Sequence, residues 1–281
     1  MIAVSRRGDL VRIALLRGDS LAEYWLWNLS APDGVGDVYT ARVEAVMPAL
    51  AGRFLTLGDV SGFLPDSAGG KNLTTGTYVA VRVTRAAQGD KGPRLKVVDE
   101  PHGGTPGLLC RGPGPLLELA ARRPEDEIAL DDYALMAELR PALEGRMRHA
   151  AKAFDAVLED EIAGLAEPTA ALPHGAAMHI SPTPAATLID IDAAAASGMN
   201  PLALNTAIIP EICRQIVLRN LSGGILIDFA GLKAAQRQKL AEPLRAALAA
   251  DALRPSLLGF SHLGFAEINR RRIRPPLHEL F

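Results

Sequence analysis

Cysteine is scarce in this 281-residue chain. Cys110 and Cys213 lie far apart, with no Cys-x-x-Cys and no neighbouring pair of histidines. That spacing argues against both a disulfide framework and a zinc ribbon. Charge of either sign is also not in excess, the net being -2. Without a global polycation, any nucleic-acid binding falls to a local patch, because neutralising phosphates needs only a handful of well-placed Lys and Arg. The densest such run is Arg270, Arg271, Arg272 and Arg274. Long hydrophobic runs are missing too: no stretch approaches a membrane span, and Met1-Ile2-Ala3-Val4 meets Arg6 and Arg7 without the apolar core of a leader. The chain reads as soluble and cytoplasmic, with no membrane partner. No internal repeat is visible.

What the chain does have is apolar residues, 48% of the total, enough to bury a sizeable core in two domains by length. Residues 1–30 predict strands at Met1 to Val4, Leu10 to Leu16 and Ala22 to Leu29. From Gly36 to Val98, short strands follow one another closely, with Gly58, Gly69-Gly70, Gly76 and Gly89 in the turns, the rhythm of a small antiparallel barrel. Phe54 and Phe63 fall on its strands and Lys91 in the turn Gln88-Gly89-Asp90-Lys91-Gly92. Aromatics on the face of such a barrel stack bases while cations hold phosphates; the same two Phe residues would also serve as core.

A Gly/Pro-rich connector, Pro101 to Pro115, leads to predicted helices at Leu116 to Ala121, Tyr133 to Leu139 and Leu143 to Leu165, the last with Met147, Phe154, Leu158 and Ile162 as its apolar stripe. After residue 177 the pattern is α/β: a hairpin, a helix capped by Asn200-Pro201, a strand to Asp228, a helix over 233–250, a strand at Leu257 to Phe260 and a basic helix from Phe265 to Ile273.

Two runs stand out, Thr187-Leu188-Ile189-Asp190-Ile191-Asp192 and Gly224-Ile225-Leu226-Ile227-Asp228-Phe229. Each is an apolar strand meeting carboxylates near its end. If the strands are neighbours, Asp190 and Asp228 open into one crevice, and converging carboxylates suit a hard cation such as magnesium. The alternative is that each Asp caps the following turn. His102, His149, His174, His179 and His278 are scattered and read as surface or satisfied core.

The order of several blocks resembles the catalytic region of the ribonuclease E/G family: Gly36-Asp37-Val38-Tyr39, Gly62-Phe63-Leu64-Pro65, Leu172-Pro173-His174-Gly175, Ile189-Asp190-Ile191-Asp192, the stretch from Glu211 to Leu221, Gly224 to Phe229 and Gly264 to Pro275. The resemblance implies an α/β architecture. A split RNase H-like domain (1–34 and 105–165) carries an inserted OB-fold (ribosomal S-one-type) β-barrel (35–100), and a DNase I-like α/β subdomain follows (166–281). It implies a magnesium-dependent endoribonuclease cutting single-stranded RNA, with Mn2+ able to replace Mg2+. Asp190 and Asp228 would be the catalytic metal-binding residues with Asp192 beside them, and Phe54, Phe63, Lys91, Arg270 and Arg272 would contact RNA.

The departures are specific. Asp192 stands where the family usually has Asn, and Ala193, Ala194 and Ala195 replace a Ser and a basic residue. The connector is too short for the family's 5′-monophosphate sensor, and His262 replaces an Arg associated with it. The sequence stops at Phe281 where the zinc-link would begin. The expectation is therefore a monomer or simple dimer, with no structural zinc and no zinc-linked tetramer. A catalytically impaired RNA-binding protein of the same family is the alternative function, and a scaffold using the basic C-terminal run is a third.

Overall fold

The computed structural model describes residues 1–143, 145–193, 195–196 and 198–280. Ala194, in the alanine run after Asp192, and Phe281 lie outside them. The chain begins with an antiparallel meander of β1 (Ile2–Arg7), β2 (Leu10–Arg17) and β3 (Ser20–Asn28). Its inward positions alternate between two faces, Ile2, Val4 and Ile13 toward one and Ala3 and Ala14 toward the other, so both faces need cover.

Before that cover arrives, the barrel intervenes. It comprises β4 (Val38–Met47), β5 (Gly52–Thr56), β6 (Ser61–Pro65), β7 (Tyr78–Arg85) and β8 (Arg94–Val97). β4 pairs with both β5 and β7, β5 with β6, β6 in parallel with β8, and β8 with β7. This closed ring of five strands is consistent with an OB-fold, and β9 (Gly107–Cys110) adds to β4 outside it. Ala41, Val43, Leu55, Leu64, Val81 and Leu95 fill the interior. Buried Asp37, at the entrance, accepts the backbone N–H of Gly112 and the Arg111 guanidinium, each at 2.7 Å, so the chain enters and leaves the barrel at one point.

The chain then returns to the first sheet. α1 (Gly114–Arg122) and α2 (Tyr133–Leu143) lay Leu116, Leu119, Leu135 and Leu139 on one face. β10 (Ile128–Leu130) and β11 (Met147–His149) extend the sheet in parallel, giving the order β11-β10-β1-β2-β3. The predicted helix from Leu143 to Leu165 is thus wrong in its first half. Met147 to His149 gain a strand partner in β10, and pairing overrides the helix propensity of the alanines around them. The second half survives as α3 (Ala156–Gly164), capped by Asp155, and brings Leu158 and Ile162, with Phe154 just before it, to the other face of the sheet.

The C-terminal region is a second α/β layer. β12 (Thr169–Ala171), β13 (Ala177–Pro182) and β14 (Ala186–Asp192) are antiparallel. α4 (Pro201–Leu218) carries the chain over to β15 (Gly223–Asp228), which lies parallel to β14. Asn200 caps α4 as its spacing predicts, accepting from Leu202 N, and Pro210 sits within the helix. The helix expected over 233–250 is instead α5 (Ala234–Arg237) and α6 (Ala241–Leu248) joined by a tighter turn. β16 (Ser256–Phe260) follows, and the segment expected as a basic helix is a strand, β17 (Ala266–Arg270), between β15 and β16. Its buried positions are Ala266, Ile268 and Arg270, a period of two that the charged run conceals. Ile189, Ile191, Ile225 and Ile227 pack against Ile208, Ile212 and Ile216 of α4. Cys213 lies in the same core, and burial pushes its thiol up to about 12, so it is a packed hydrophobe. Among the described residues no helix is long and apolar enough to cross a membrane.

Candidate active site and nucleic-acid interface

The register of β14 and β15 decides the carboxylates. Ile189 pairs with Ile227 and Asp190 with Asp228, so the isoleucines share the core face while both carboxylates stand on the opposite, open face. Asp190 is exposed and Asp228 half-buried. The two strands are neighbours, as the crevice reading requires, and the Asp side chains project side by side. Asp192 lies two residues further along β14, exposed and in register with Ala177. Among the described residues, no three His, Cys, Asp or Glu side chains stand close enough to share a metal ion, so the grouping is a pair.

In the barrel, Phe54 and Phe63 are register partners on β5 and β6, their ring centroids 5.5 Å apart and inclined at 63°. Phe54 is 36% exposed and Phe63 half-buried, so the rings lie outside the barrel core, which is filled by Leu55 and Leu64. The Phe63 ring lies across Gly52, where any side chain would collide with it. Lys91 is exposed in a turn closed by reciprocal backbone hydrogen bonds with Gln88, 2.9 and 3.0 Å. Gly92 passes so near the Ser61 carbonyl that any side chain there would collide with it, and Phe63 N donates to Pro93 O at 2.8 Å, which ties the Lys91 turn to the aromatic strand.

The row continues beyond the aromatics. Phe63 is in register with Arg94 of β8, and Arg94 with Arg85 of β7. Next along the same strands, Arg82 faces Lys96. Arg85 is held below the usual guanidinium range by burial and then by the charges of Arg94 and Arg272, and its Nε is buried without a hydrogen-bond partner. Arg272 comes from the C-terminal segment, whose Ile273 carbonyl accepts Ala86 N at 2.8 Å. Among the described residues none of Arg82, Arg85, Lys91, Arg94, Lys96 and Arg272 forms an ion pair. Sequence reasoning missed Arg85 and Arg94. The alternation of Val81, Val83 and Leu95 with charged residues was the available signal.

The two arginines expected at an RNA surface part company. Arg272 is half-buried against Gly223 and beside the barrel cations. Arg270 is 2% exposed: its Nε donates to Asp251 Oδ2 at 2.6 Å and its Nη1 to Asn220 Oδ1 at 2.8 Å and Leu221 O at 3.0 Å. Its guanidinium is consumed by the fold, because an inward position on a central strand demands a paired charge. Arg270 is therefore withdrawn as an RNA contact.

Comparison with known proteins places these features in context. The model of the "Ribonuclease E/G family" matches residues 126–273, from just before β10 to just past β17 and more than half of the chain. "Ribonuclease E" of Nostoc sp. (strain PCC 7120 / SAG 25.82 / UTEX 2576) is 34% identical over 121 residues, 41% of this chain and 18% of that protein. "Ribonuclease E" of Escherichia coli (strain K12) is 34% identical over 128 residues, 43% of this chain and 12% of that protein. "Ribonuclease G" of the same strain is 34% identical over 129 residues, 44% and 26%. The matched stretch thus spans about a quarter or less of these relatives. The family-model match at residues 126–273 contains both carboxylate strands and leaves the barrel outside, so the barrel's likeness rests on its own strand pairing. With the paired carboxylates inside the matched region, the chain belongs to the ribonuclease E/G family.

Proposed function

We propose that this protein is an endoribonuclease that cuts single-stranded RNA at Asp190 and Asp228. The observation that carries this reading is their register on adjacent parallel strands, which sets two carboxylates side by side on an open sheet face. The donor set fits magnesium: two water-accessible carboxylates suit a hard cation that takes one or two of them and keeps several waters. Manganese accepts the same ligands and is expected to substitute. When bound, the ion supplies charge against the scissile phosphate and makes an attacking water more acidic. Asp192 lies close enough along β14 to add negative charge to this edge.

The barrel supplies the grip. Phe54 and Phe63 offer ring faces to bases that are unstacked, which a duplex does not present. Lys91, Arg94 and Arg85 line the same surface and Arg272 joins them, a set of cations suited to backbone phosphates. We read the first sheet as a split RNase H-like domain, residues 1–34 with 105–165, the barrel as an insertion at 35–100, and residues 166–281 as a DNase I-like subdomain. A soluble, cytoplasmic RNA-processing role follows from the activity.

The test uses a 5′-hydroxyl, AU-rich single-stranded RNA with magnesium or with chelator, beside the Asp190→Asn variant. Magnesium-dependent cutting that disappears in the variant is the expected result. Undiminished cutting by Asp190→Asn, or RNA that is bound and never cut, would sink the assignment.

A further inference from the structure

The carboxylate row does not end at Asp190. On the far side of β14, Asp190 is in register with His179 of β13, and His179 with Thr169 of β12. Thr169, His179, Asp190 and Asp228 thus form one line across four strands. Residues in register share a face, and the neighbours Met178, Ile180 and Ile189 are all turned into the core. His179 is exposed, and its Nδ1 lies 3.0 Å from Thr169 Oγ1. Its other ring nitrogen, Nε2, has no protein partner among the described residues.

We propose that His179 is a substrate-positioning residue that donates from Nε2–H to a phosphate oxygen of the RNA strand lying along this edge. The inference rests on the nuclease reading for the identity of the strand. The contact uses the tautomer in which the Thr169 hydroxyl donates to Nδ1 and Nε2 carries the N–H, and the Thr169 bond holds the ring at a fixed angle. Strand spacing puts His179 about 5 Å from Asp190 and about 10 Å from Asp228, and it is not grouped with them as a metal ligand. An anionic strand approaching two carboxylates meets repulsion, and a donor in the same line offsets part of it. Thr169, bonded to the ring, sets its orientation and does not itself need to reach the strand.

The test is binding of a fluorescent, AU-rich 2′-O-methyl oligonucleotide, which resists cleavage, to the full chain in magnesium. His179→Phe keeps a flat ring without a donor and should weaken binding about tenfold, the scale of one hydrogen bond to a charged group. His179→Gln restores an N–H and should stay within about twofold of the parent. Equal binding by parent and His179→Phe would overturn the proposal, and so would His179→Gln as weak as His179→Phe, since only ring shape would then matter. Because His179 is exposed, neither variant disturbs the core. The readout is independent of cutting: a parent that fails to cleave ordinary RNA defeats the nuclease reading, whereas the pattern among the variants scores the contact alone.

Discussion

Across the barrel, the register row Phe54, Phe63, Arg94, Arg85 runs from aromatic to cation, whereas across the C-terminal sheet the row Thr169, His179, Asp190, Asp228 runs from hydroxyl to carboxylate. Both rows stand on outward faces of sheets whose other face is filled with Val, Leu and Ile. In the barrel row the charges are cations that form no ion pair among the described residues, and like charges face each other at Arg85–Arg94 and Arg82–Lys96. Such pairs disfavour the folded state slightly. In the C-terminal sheet the arrangement is inverted: the anions stand on the open face, Asp190 exposed and Asp228 half-buried, and a cation, Arg270, is buried with its partner. The difference teaches that an arginine's role follows from its place on the strand. An unpartnered surface arginine is poised for an anion outside the chain, and a buried one is already satisfied.

The largest effect should come from exchanging those two situations. Arg270→Ala leaves Asp251 charged and uncompensated in a site where both side chains are nearly inaccessible, and breaking such a pair costs about 3–5 kcal/mol. Arg94→Ala, by contrast, removes a repelled surface charge and should leave the unfolding free energy within about 0.5 kcal/mol of the parent. Urea unfolding of both variants checks the contrast. Equal stability losses would erase the distinction between structural and surface arginine.

Next in size is the separation of cutting from gripping. Asp228→Asn keeps the shape of the side chain and should reduce cleavage by on the order of a hundredfold or more, while oligonucleotide affinity is unchanged or rises as a negative charge is lost. Phe63→Ala should do the reverse. Removing one stacking face costs about 1–3 kcal/mol of binding, with single-turnover cutting at saturating RNA close to the parent. A Phe63→Ala variant that binds normally would return the ring to a packing role against Gly52.

The carboxylate pair was legible because an apolar run broken by Asp on one face is a strong strand signal, and two such runs flank one helix. The grouping around it was not. His179 looks like an isolated histidine until the hairpin register places it opposite Asp190, though the alternation Ala177, Met178, His179, Ile180, Ser181 already puts it on the polar face. Arg270 and Arg272 are indistinguishable in a run of arginines. Only the period-two burial of Ala266, Ile268 and Arg270, set by the flanking strands β15 and β16, separates them. Met147–His149 and Ala266–Arg270 read as helix by the propensity of their surroundings, and their strand identity comes from partners far away in sequence.

The smallest effect sharpens the comparison furthest. If the barrel row meets phosphates, each of its cations displaces roughly one condensed counterion when RNA binds, and removing one should flatten the slope of log affinity against log salt by about 0.7 for a single strand. Arg94→Ala and Lys96→Ala should each do so, the former more strongly in affinity because Arg94 sits between Phe63 and Arg85 in register. Arg245→Ala, on the outer side of α6 and already paired with Glu242, should leave the slope unchanged. Anisotropy titrations of an uncleaved oligonucleotide between low and moderate salt measure all three. A slope that falls equally for Arg245 would mean that RNA is drawn by diffuse charge, and the register row would then lose its claim to be the track.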